Sequence, residues 1–195
     1  MISAATKREA ERWYKLKDIP AQLALVRDNV RFKVVPAGRR SGKTERAKRY
    51  VVRQAMQNPG KSYFLAAPTR DQAKKIFWND IKSMTFSTLH PKAPSETELP
   101  NNATIYVIGL DKPQRIEGQL WAGGIVDEIA DCKPNAWAEN IKPALDTVNP
   151  QNPDYRAWCW LTGVPDGLNH YYDIAQYAQN SGDDEWAFYT WKSAE

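Results

Sequence analysis

The stretch from Asn29 to Met56 reads NVRFKVVPAGRRSGKTERAKRYVVRQAM. Its residues 31–36 form a short apolar run rich in β-formers, which is typical of a buried strand. Apolar side chains then recur at helical spacing after Thr44. A loop that ends in Gly-Lys-Thr therefore joins a strand to a helix, and this is the setting that a phosphate-binding P-loop requires.

The loop itself, residues 37–44, carries groups suited to phosphate. Backbone N–H groups and the start of a helix dipole converge at such a turn. We expect Lys43 to reach the β- and γ-phosphates, the Thr44 hydroxyl to ligate Mg²⁺, and Gly42 to allow close approach because it has no Cβ. Ala37 stands where the pattern G-x-x-x-x-G-K-[ST] has glycine. A surface loop that reads Gly-Lys-Thr by chance is the competing interpretation, which the flanking strand and helix disfavour.

Length and composition indicate one globular domain. The chain has 195 residues, of which 42% are hydrophobic and 26% charged, enough for one α/β domain with a sizeable core. No apolar run approaches membrane-spanning length, and no signal-peptide core is present, so we expect no membrane partner. Cys132 and Cys159 have no metal-ligand spacing, and a reducing, cytoplasmic setting is the default.

Charge is unevenly distributed along the chain. Residues 1–75 hold 19 Lys and Arg against 6 Asp and Glu, whereas residues 76–195 hold 8 against 17. This asymmetry predicts either a nucleic-acid surface or two halves that neutralise each other in the fold, and charge alone does not choose between them.

Strand and helix signals alternate through the chain, which favours a three-layer α/β domain with a mainly parallel sheet. Residues 83–101 read as irregular, with a hairpin turn near Pro100. The predicted strands are 31–36, 61–67, 103–109, 123–127, 156–162 and 186–191. Predicted helices cover 3–18, a short segment from residue 21, the segment after the P-loop, 72–82, 135–146 (where Pro143 would kink or end the helix) and 170–178.

A second site element is the apolar strand that ends in Asp127 and Glu128. With a P-loop 84 residues upstream of the Asp, we expect Asp127 to hold Mg²⁺ through water and Glu128 to activate the attacking water. Neighbouring side chains of a strand point to opposite faces, so the two carboxylates can do different jobs.

Two other polar segments remain ambiguous from the residues alone. Gln22 lies 21 residues before Lys43, where its amide either reads the edge of adenine or faces solvent. Thr69-Arg70 either holds a phosphate or caps a helix. Thr69-Arg70, Thr162-Gly163, the P-loop and the Asp-Glu pair all follow strands, so they could converge in one crevice at the carboxyl ends of the sheet.

Five segments occur in a specific order and spacing: AGRRSGKT (37–44), AAPTRDQAKKIFW (66–78), GLDKPQRIEG (109–118), IVDEIAD (125–131) and LTGVPDGLNHYYDIA (161–175). Together they resemble the ATPase domain of the large terminase subunit of tailed bacteriophages, over roughly residues 22–191. The resemblance implies a three-layer P-loop NTPase of the RecA-like (ASCE) class. It also implies a motor that hydrolyses ATP with Mg²⁺ to move double-stranded DNA into a procapsid.

The resemblance assigns roles by position. Lys43 and Thr44 match the Walker A lysine and threonine, and Asp127 and Glu128 match the Walker B pair. Gln22 matches the adenine-contacting motif. The other nucleotide-binding positions of the loop are Gly38, Arg40, Ser41 and Gly42.

Two arginines are catalytic candidates in this resemblance. Arg39 matches the loop arginine thought to sense the γ-phosphate in cis. Arg115 lies in the loop from which some members of the family present an arginine to the neighbouring subunit. The coupling motif departs from the family pattern, because Val164 replaces a threonine; Thr162 could substitute for it, or coupling could run through the backbone.

The implied partners are double-stranded DNA, the portal protein, the small terminase subunit and further copies of the chain. We expect a homo-oligomeric ring, pentameric on the capsid and possible as a monomer in isolation. Its location would be the host-cell cytoplasm and transiently the procapsid portal, not the mature virion. We expect residues 1–195 to form a single ATPase domain, with helices to residue 30 and the core from 31, without the C-terminal nuclease domain and its DNA cleavage.

Three other classes compete with this interpretation. A helicase or other nucleic-acid-dependent ATPase shares both Walker motifs but needs a second RecA-like domain. A nucleotide kinase needs a lid and a substrate-binding arginine cluster. A non-enzymatic module with a degenerate P-loop is disfavoured because Lys43, Thr44, Asp127 and Glu128 are all present.

Overall fold

The apolar runs of the sequence form the strands of one mostly parallel sheet. The computed structural model describes residues 19–85, 96–164 and 166–192, so the helix predicted over 3–18 lies outside the described residues. The strands are β1 (Phe32–Pro36), β2 (Ser62–Ala67), β3 (Glu96–Glu98), β4 (Thr104–Gly109), β5 (Trp121–Val126), β6 (Trp158–Gly163) and β7 (Trp186–Phe188). Their order across the sheet is β3-β4-β2-β5-β6-β1-β7, and only the β3–β4 pair is antiparallel.

Helices cover both faces of this sheet. They are α1 (Pro20–Arg27), α2 (Lys43–Gln57), α3 (Arg70–Ala73), α4 (Asn79–Met84), α5 (Lys142–Asp146) and α6 (His170–Asn180). A π-helical turn, Lys74–Trp78, joins α3 to α4, and another, Trp137–Ile141, leads into α5. Short 3₁₀ turns lie at Pro113–Ile116 and Ile129–Asp131. Among the described residues, no helix is both long and apolar enough to cross a bilayer.

The core is divided between the two faces because strand side chains alternate. Val35 and Leu65 pack on one face with apolar residues of α1, α2 and α4. Val34 and Phe64 pack on the other face with residues of α5 and α6. Every residue of β1 is buried, as a strand covered on both sides requires. The predicted three-layer α/β fold is therefore confirmed.

Local differences from the sequence prediction have physical causes. Strand β3 was missed, because the edge sequence Glu-Thr-Glu has no apolar alternation and is paired only through its hairpin with β4. The hairpin turn near Pro100 is present, with Asn102 N–H donating to Leu99 O at 2.9 Å. The helix predicted over 135–146 begins as the π-helical turn, which immediately precedes Pro143; a proline cannot donate the regular backbone bond.

Other predicted boundaries also shift. Strand β5 starts at Trp121 and ends before the acidic pair, whereas β7 ends at Phe188 and not at residue 191. The strand predicted over 156–162 is confirmed as β6, which starts at Trp158 and extends one residue further, to Gly163. Both cysteines are buried and free.

Arg31 ties together the amino end of the sheet. Its guanidinium donates to the carbonyls of Ala157 at 2.9 Å and Leu145 at 3.2 Å, and pairs with Asp146 at 2.6 Å and Glu185 at 3.2 Å. The side chain is 7% exposed. One residue at the start of β1 therefore holds the beginnings of β6 and β7 and the end of α5.

Arg31→Met should strongly destabilise the fold, because it removes the side-chain donor of the Ala157 and Leu145 carbonyls and of Asp146 Oδ1. We expect a loss of about 3 kcal/mol in the free energy of unfolding, measured by urea denaturation. Arg156→Met is the matched control, because Arg156 pairs with the same Glu185 at 3.5 Å from an exposed position. Exposed pairs contribute about 0–1 kcal/mol, so equal losses for the two variants would contradict the role given to Arg31.

Candidate functional site

The site forms where the carboxyl ends of β5, β6 and β1 lie side by side. These three strands are neighbours in the sheet, and all three run parallel. The loop after β1, the acidic pair after β5 and Thr162 near the end of β6 are therefore brought together, as the positions of these segments after strands predicted.

The loop geometry explains why Ala37 is tolerated at the first motif position. Ala37 N–H donates to Gly163 O at 3.2 Å, which extends the β1–β6 pairing, and its φ is not in the left-handed region. Gly42 does need to be glycine, because its φ is +79° and an added Cβ would lie 3.2 Å from Gln22 Nε2. Helix α2 starts at the next residue, Lys43.

Asp127 is the centre of the hydrogen-bond network at this site. Thr44 Oγ1 donates to Asp127 Oδ2 at 2.7 Å, and Thr162 Oγ1 donates to Asp127 Oδ1 at 2.6 Å. The Glu128 N–H donates to Oδ1 at 3.1 Å. Asp127 is 1% exposed, so these donors replace the water that a buried carboxylate loses. The hydroxyl and carboxylate oxygens of Thr44 and Asp127 are of the hard type that suits Mg²⁺.

Glu128 is turned towards Lys43 by its backbone. Its φ is 51° and ψ is 45°, a left-handed conformation that costs a non-glycine residue about 1–2 kcal/mol. Lys43 Nζ lies 3.5 Å from Glu128 Oε1, and Lys43 is buried whereas Glu128 is partly exposed. The expectation that strand alternation separates the two acids is wrong, because β5 ends at Val126; the left-handed turn separates them instead.

Gln22 lies under the loop and not at its open side. It is 3% exposed, and its Nε2 donates to Ser41 O at 2.8 Å. Its Oε1 accepts from Arg46 Nε and Nη2 at 3.2 and 3.1 Å. Gln22 is thus not a solvent-facing glutamine: its amide supports the loop, and the adenine contact stays a prediction.

Helix α1, which carries Gln22, is fixed to β1 by Lys33. Lys33 Nζ donates to Leu25 O at 2.8 Å and also to Asp28 O, and it lies 5.5 Å from the centre of the Trp160 ring. Burial lowers the pKa of Lys33 to about 8, although Asp28 opposes the shift. A buried amine on β1, the strand that leads into the loop, therefore positions the helix below the loop.

Ser41 has two buried oxygens with different surroundings. Its carbonyl accepts from Gln22 and also from Trp191 Nε1 at 2.8 Å. Its hydroxyl is buried and has no hydrogen-bond partner among the described residues. Sequence reasoning missed Trp191, since no local motif links a tryptophan 150 residues away to the loop.

The loop crest is exposed. Ser41 N–H turns back to Gly38 O at 3.4 Å, so Arg39 and Arg40 lie at the tip of a tight turn. Arg40 has a φ of 59°, whereas both arginine side chains are on the solvent side. The structure places these two predicted residues at the exposed crest of the loop 37–44, and their roles stay predictions.

Arg115 is not brought to this site within the chain. It donates to Asp111 Oδ1 at 2.9 Å and lies in the 3₁₀ turn after β4. Strand β4 is two steps from β5 and four steps from β1 in the sheet, which corresponds to about 10 and 19 Å. The guanidinium also donates to Gly109 O at 3.4 Å, so it is held at the end of β4, and its role in trans stays a prediction.

Thr69 caps a helix. Its Oγ1 accepts from Gln72 N–H at 3.2 Å, and the Gln72 side chain returns a bond to Thr69 N–H, forming a capping box. Of the two interpretations of the Thr69-Arg70 segment, the structure therefore supports the helix cap.

Cys132 lies close to the acidic pair but is unsuited to chemistry at neutral pH. Burial, with the charges of Asp131, Asp127 and Glu128, raises the pKa of its thiol to about 12. The thiol stays protonated and is a poor nucleophile. Cys132 is therefore a packing residue of the apolar core on this face of the sheet.

Comparison with protein families decides the assignment. The family described as "Terminase large subunit, T4likevirus-type, N-terminal" matches residues 35–144, more than half of the chain. The chain belongs to the terminase large subunit family.

Relatives of this terminase chain agree with its fold. The terminase large subunit of Thermus phage G20c is 25% identical over 194 residues, covering 86% of this chain and 38% of the relative. The ATPase domain of the Thermus phage P74-26 large terminase gives a TM-score of 0.68 at 21% identity, covering 93% of this chain and 83% of that one.

A third comparison involves a nucleotide complex. The large terminase of a thermophilic bacteriophage, solved with ATP-γ-S, gives a TM-score of 0.69 at 15% identity, covering 90% of this chain and 45% of that one. Our terminase chain spans well under half the length of the curated relatives that it matches.

Thr162→Val should destabilise the protein, because it removes a buried donor to the Asp127 carboxylate. Bonds to charged groups contribute about 1.5–3 kcal/mol, and we expect a loss in that range by urea denaturation. Thr97→Val is the matched control: Thr97 is 3% exposed and its hydroxyl has no partner among the described residues. That change should be neutral or stabilising, and the same loss in both variants would contradict the role given to Thr162.

Proposed function

We propose that this chain is the ATP-hydrolysing part of a DNA-packaging terminase, with its site between the loop 37–44 and the end of β5. The observation that carries the proposal is the contact of Thr44 with Asp127 beside the contact of Lys43 with Glu128. ATP hydrolysis needs a cation for the phosphates, oxygen ligands for a metal and a carboxylate that activates water. All three kinds of group meet here.

The loop fits a triphosphate. Lys43 presents a buried ammonium, and the buried Ser41 hydroxyl can bond to a phosphate oxygen. Backbone N–H groups of residues 38–42 and the start of α2 add positive partial charge. Arg39, at the exposed crest, would contact the γ-phosphate in cis. Gln22 would reach adenine only with the amide hydrogen that is not bonded to Ser41.

Thr44 and Asp127 would hold Mg²⁺, Thr44 directly and Asp127 through water. When bound, the ion neutralises charge that develops on the phosphate oxygens. The hydrogen bond between the two side chains already holds Thr44 Oγ1 and Asp127 Oδ2 next to each other. The donors from Thr162 and Glu128 N–H fix the orientation of the carboxylate.

Glu128 would act as the general base. Its ion pair with Lys43 holds the carboxylate near the phosphate position. A bound triphosphate competes for the Lys43 ammonium, and Glu128 is then released to accept a proton from water. Thr162 would carry the signal of this change into β6, replacing the threonine that the coupling motif lacks at Val164.

The proposed substrate of the motor is double-stranded DNA, with the portal protein and the small terminase subunit as partners. Arg115 would complete the site of a neighbouring copy in a ring, since in its own chain the guanidinium is held by Asp111 and the Gly109 carbonyl at the end of β4. Membership of the terminase family favours packaging over the helicase alternative. Since the chain covers only part of its relatives, packaging would belong to the complete protein.

Glu128→Gln should retain ATP binding and lose hydrolysis. The amide cannot accept the proton from water, so we expect the turnover to fall by about 10²–10⁴-fold, measured by phosphate release. Binding of a fluorescent ATP analogue should be equal or tighter, because the amide no longer pairs with Lys43. Asp131→Asn, three residues further on, is the matched control and should keep its activity; unchanged turnover in Glu128→Gln would refute the base assignment.

A mixing experiment tests whether Arg115 acts in trans. Arg115→Ala and Glu128→Gln should each be inactive alone, but a mixture should recover hydrolysis. An intact Glu128 in one copy can then meet an intact Arg115 from its neighbour, and activity should rise with protein concentration. Lys112→Ala, from the same loop, should behave as the unmodified protein. Absence of recovery in mixtures that still form the ring would refute a role of Arg115 in trans, whereas full activity of Arg115→Ala alone would leave the arginine role to Arg39 in cis.

A further inference from the structure

We infer that Trp191 is a positioning residue of the phosphate loop. Together with Gln22, it fixes the peptide between Ser41 and Gly42 so that the Gly42 N–H points into the phosphate site. This inference rests on the proposed function, since it specifies how the nucleotide-binding loop is prepared.

The Ser41 carbonyl is held by two donors from distant parts of the chain. Gln22 Nε2 and Trp191 Nε1 both lie 2.8 Å from the oxygen, at separations of 19 and 150 residues. A carbonyl oxygen has two lone pairs, so both are used. Gln22 is 3% exposed and Trp191 is 5% exposed, so the two donors fix the carbonyl towards the protein interior.

Because the peptide group is planar, the orientation of the Ser41 carbonyl also fixes the orientation of the Gly42 N–H. The six atoms of a trans peptide lie in one plane, with C=O and the following N–H pointing in opposite directions. Because the Ser41 carbonyl points inward, the Gly42 N–H must point outward. Gly42 itself is on the exposed side of the loop, at the start of α2. Without the two donors, this peptide could rotate and turn its N–H away from a phosphate.

Both donors are themselves anchored to β1, the strand that leads into the loop. Residues after β7 continue along β1: Tyr189 N–H donates to Val34 O at 2.9 Å, and Thr190 Oγ1 donates to Pro36 O at 2.7 Å. Lys33 anchors the helix of Gln22 to the same strand. The two donors to the loop, Gln22 and Trp191, are therefore both held by β1. A shift of the segment 189–191 would move the Trp191 indole and, through the Ser41 carbonyl, the phosphate loop.

The first test removes only the indole N–H. Site-specific replacement of Trp191 by 3-benzothienylalanine keeps the ring shape and puts sulfur in place of the nitrogen. Loss of one such bond corresponds to about a threefold to tenfold weaker ATP affinity, while the melting temperature should fall by only a few degrees. Tyr189→Phe is the matched control: it removes the hydroxyl that bonds to Asp28 from the same segment, without touching the loop.

A second readout follows the Gly42 amide itself. Labelling with carbonyl-¹³C serine and ¹⁵N glycine selects only the glycine amides that directly follow a serine, and the chain has two of these, Gly42 and Gly182. We expect the Gly42 signal to shift between the protein and its Trp191 analogue and to respond differently to ATP. Gly182 lies in a distant turn and should not move.

The outcomes separate this inference from the proposed function. If the unmodified protein does not bind ATP, the proposed function fails. If it binds ATP and the Trp191 analogue binds equally well with an unmoved Gly42 signal, the positioning role is refuted. An equal loss of affinity in Tyr189→Phe would also refute it, because the effect would then belong to the whole segment.

Discussion

The site depends on one buried carboxylate. Asp127 accepts hydrogen bonds from the first turn of α2, from β6 and from the following backbone, so it connects the ends of three elements. A charge with 1% exposure is tolerable only when such donors replace water. The same oxygens are those that a metal ion would share, so the constraint that stabilises the fold also prepares the site.

The ion pair between Lys43 and Glu128 lies next to Asp127, and it can break when a phosphate binds Lys43. Glu128 is partly exposed and held by a left-handed backbone, whereas Lys43 is buried at the start of α2. Strained backbone at a functional site persists only where its surroundings enforce it. Here the 3₁₀ turn that follows Glu128 does so, with Asp131 N–H donating back to Glu128 O at 3.0 Å. Asp127 is held by three hydrogen bonds, whereas Glu128 has an ion pair that a ligand can replace. This difference suits the separate roles proposed for the two carboxylates.

Support for the loop comes from outside the motif. Gln22 precedes the loop and Trp191 follows the last strand, yet both donate to one carbonyl. Two cations at the start of β1 anchor the surroundings: Arg31 binds the segments that lead into β6 and β7, and Lys33 binds helix α1. Buried cations of this kind are costly unless their donors are satisfied, and both make several bonds here. Strand β1 therefore leads into the loop and also holds the segments that support it.

The sequence by itself determined the alternating elements, the fold class and the two Walker-type segments. These features rest on short-range patterns: apolar strands, helical spacing, and glycine where φ is positive at residue 42. They also determined that Lys43, Thr44, Asp127 and Glu128 could share a site, because all follow strands of a parallel sheet.

Only the tertiary structure decided the strand order, the short edge strand β3, and the support of the loop. Strand order places β6 between β5 and β1, and it puts β4, which precedes the turn of Arg115, about 10 Å from β5 and about 19 Å from β1. The tertiary structure also revealed that the Gln22 amide and the Trp191 indole both donate to the Ser41 carbonyl. Such contacts join residues up to 150 positions apart, and no local pattern encodes them, because they arise only when strands distant in sequence become neighbours in the sheet.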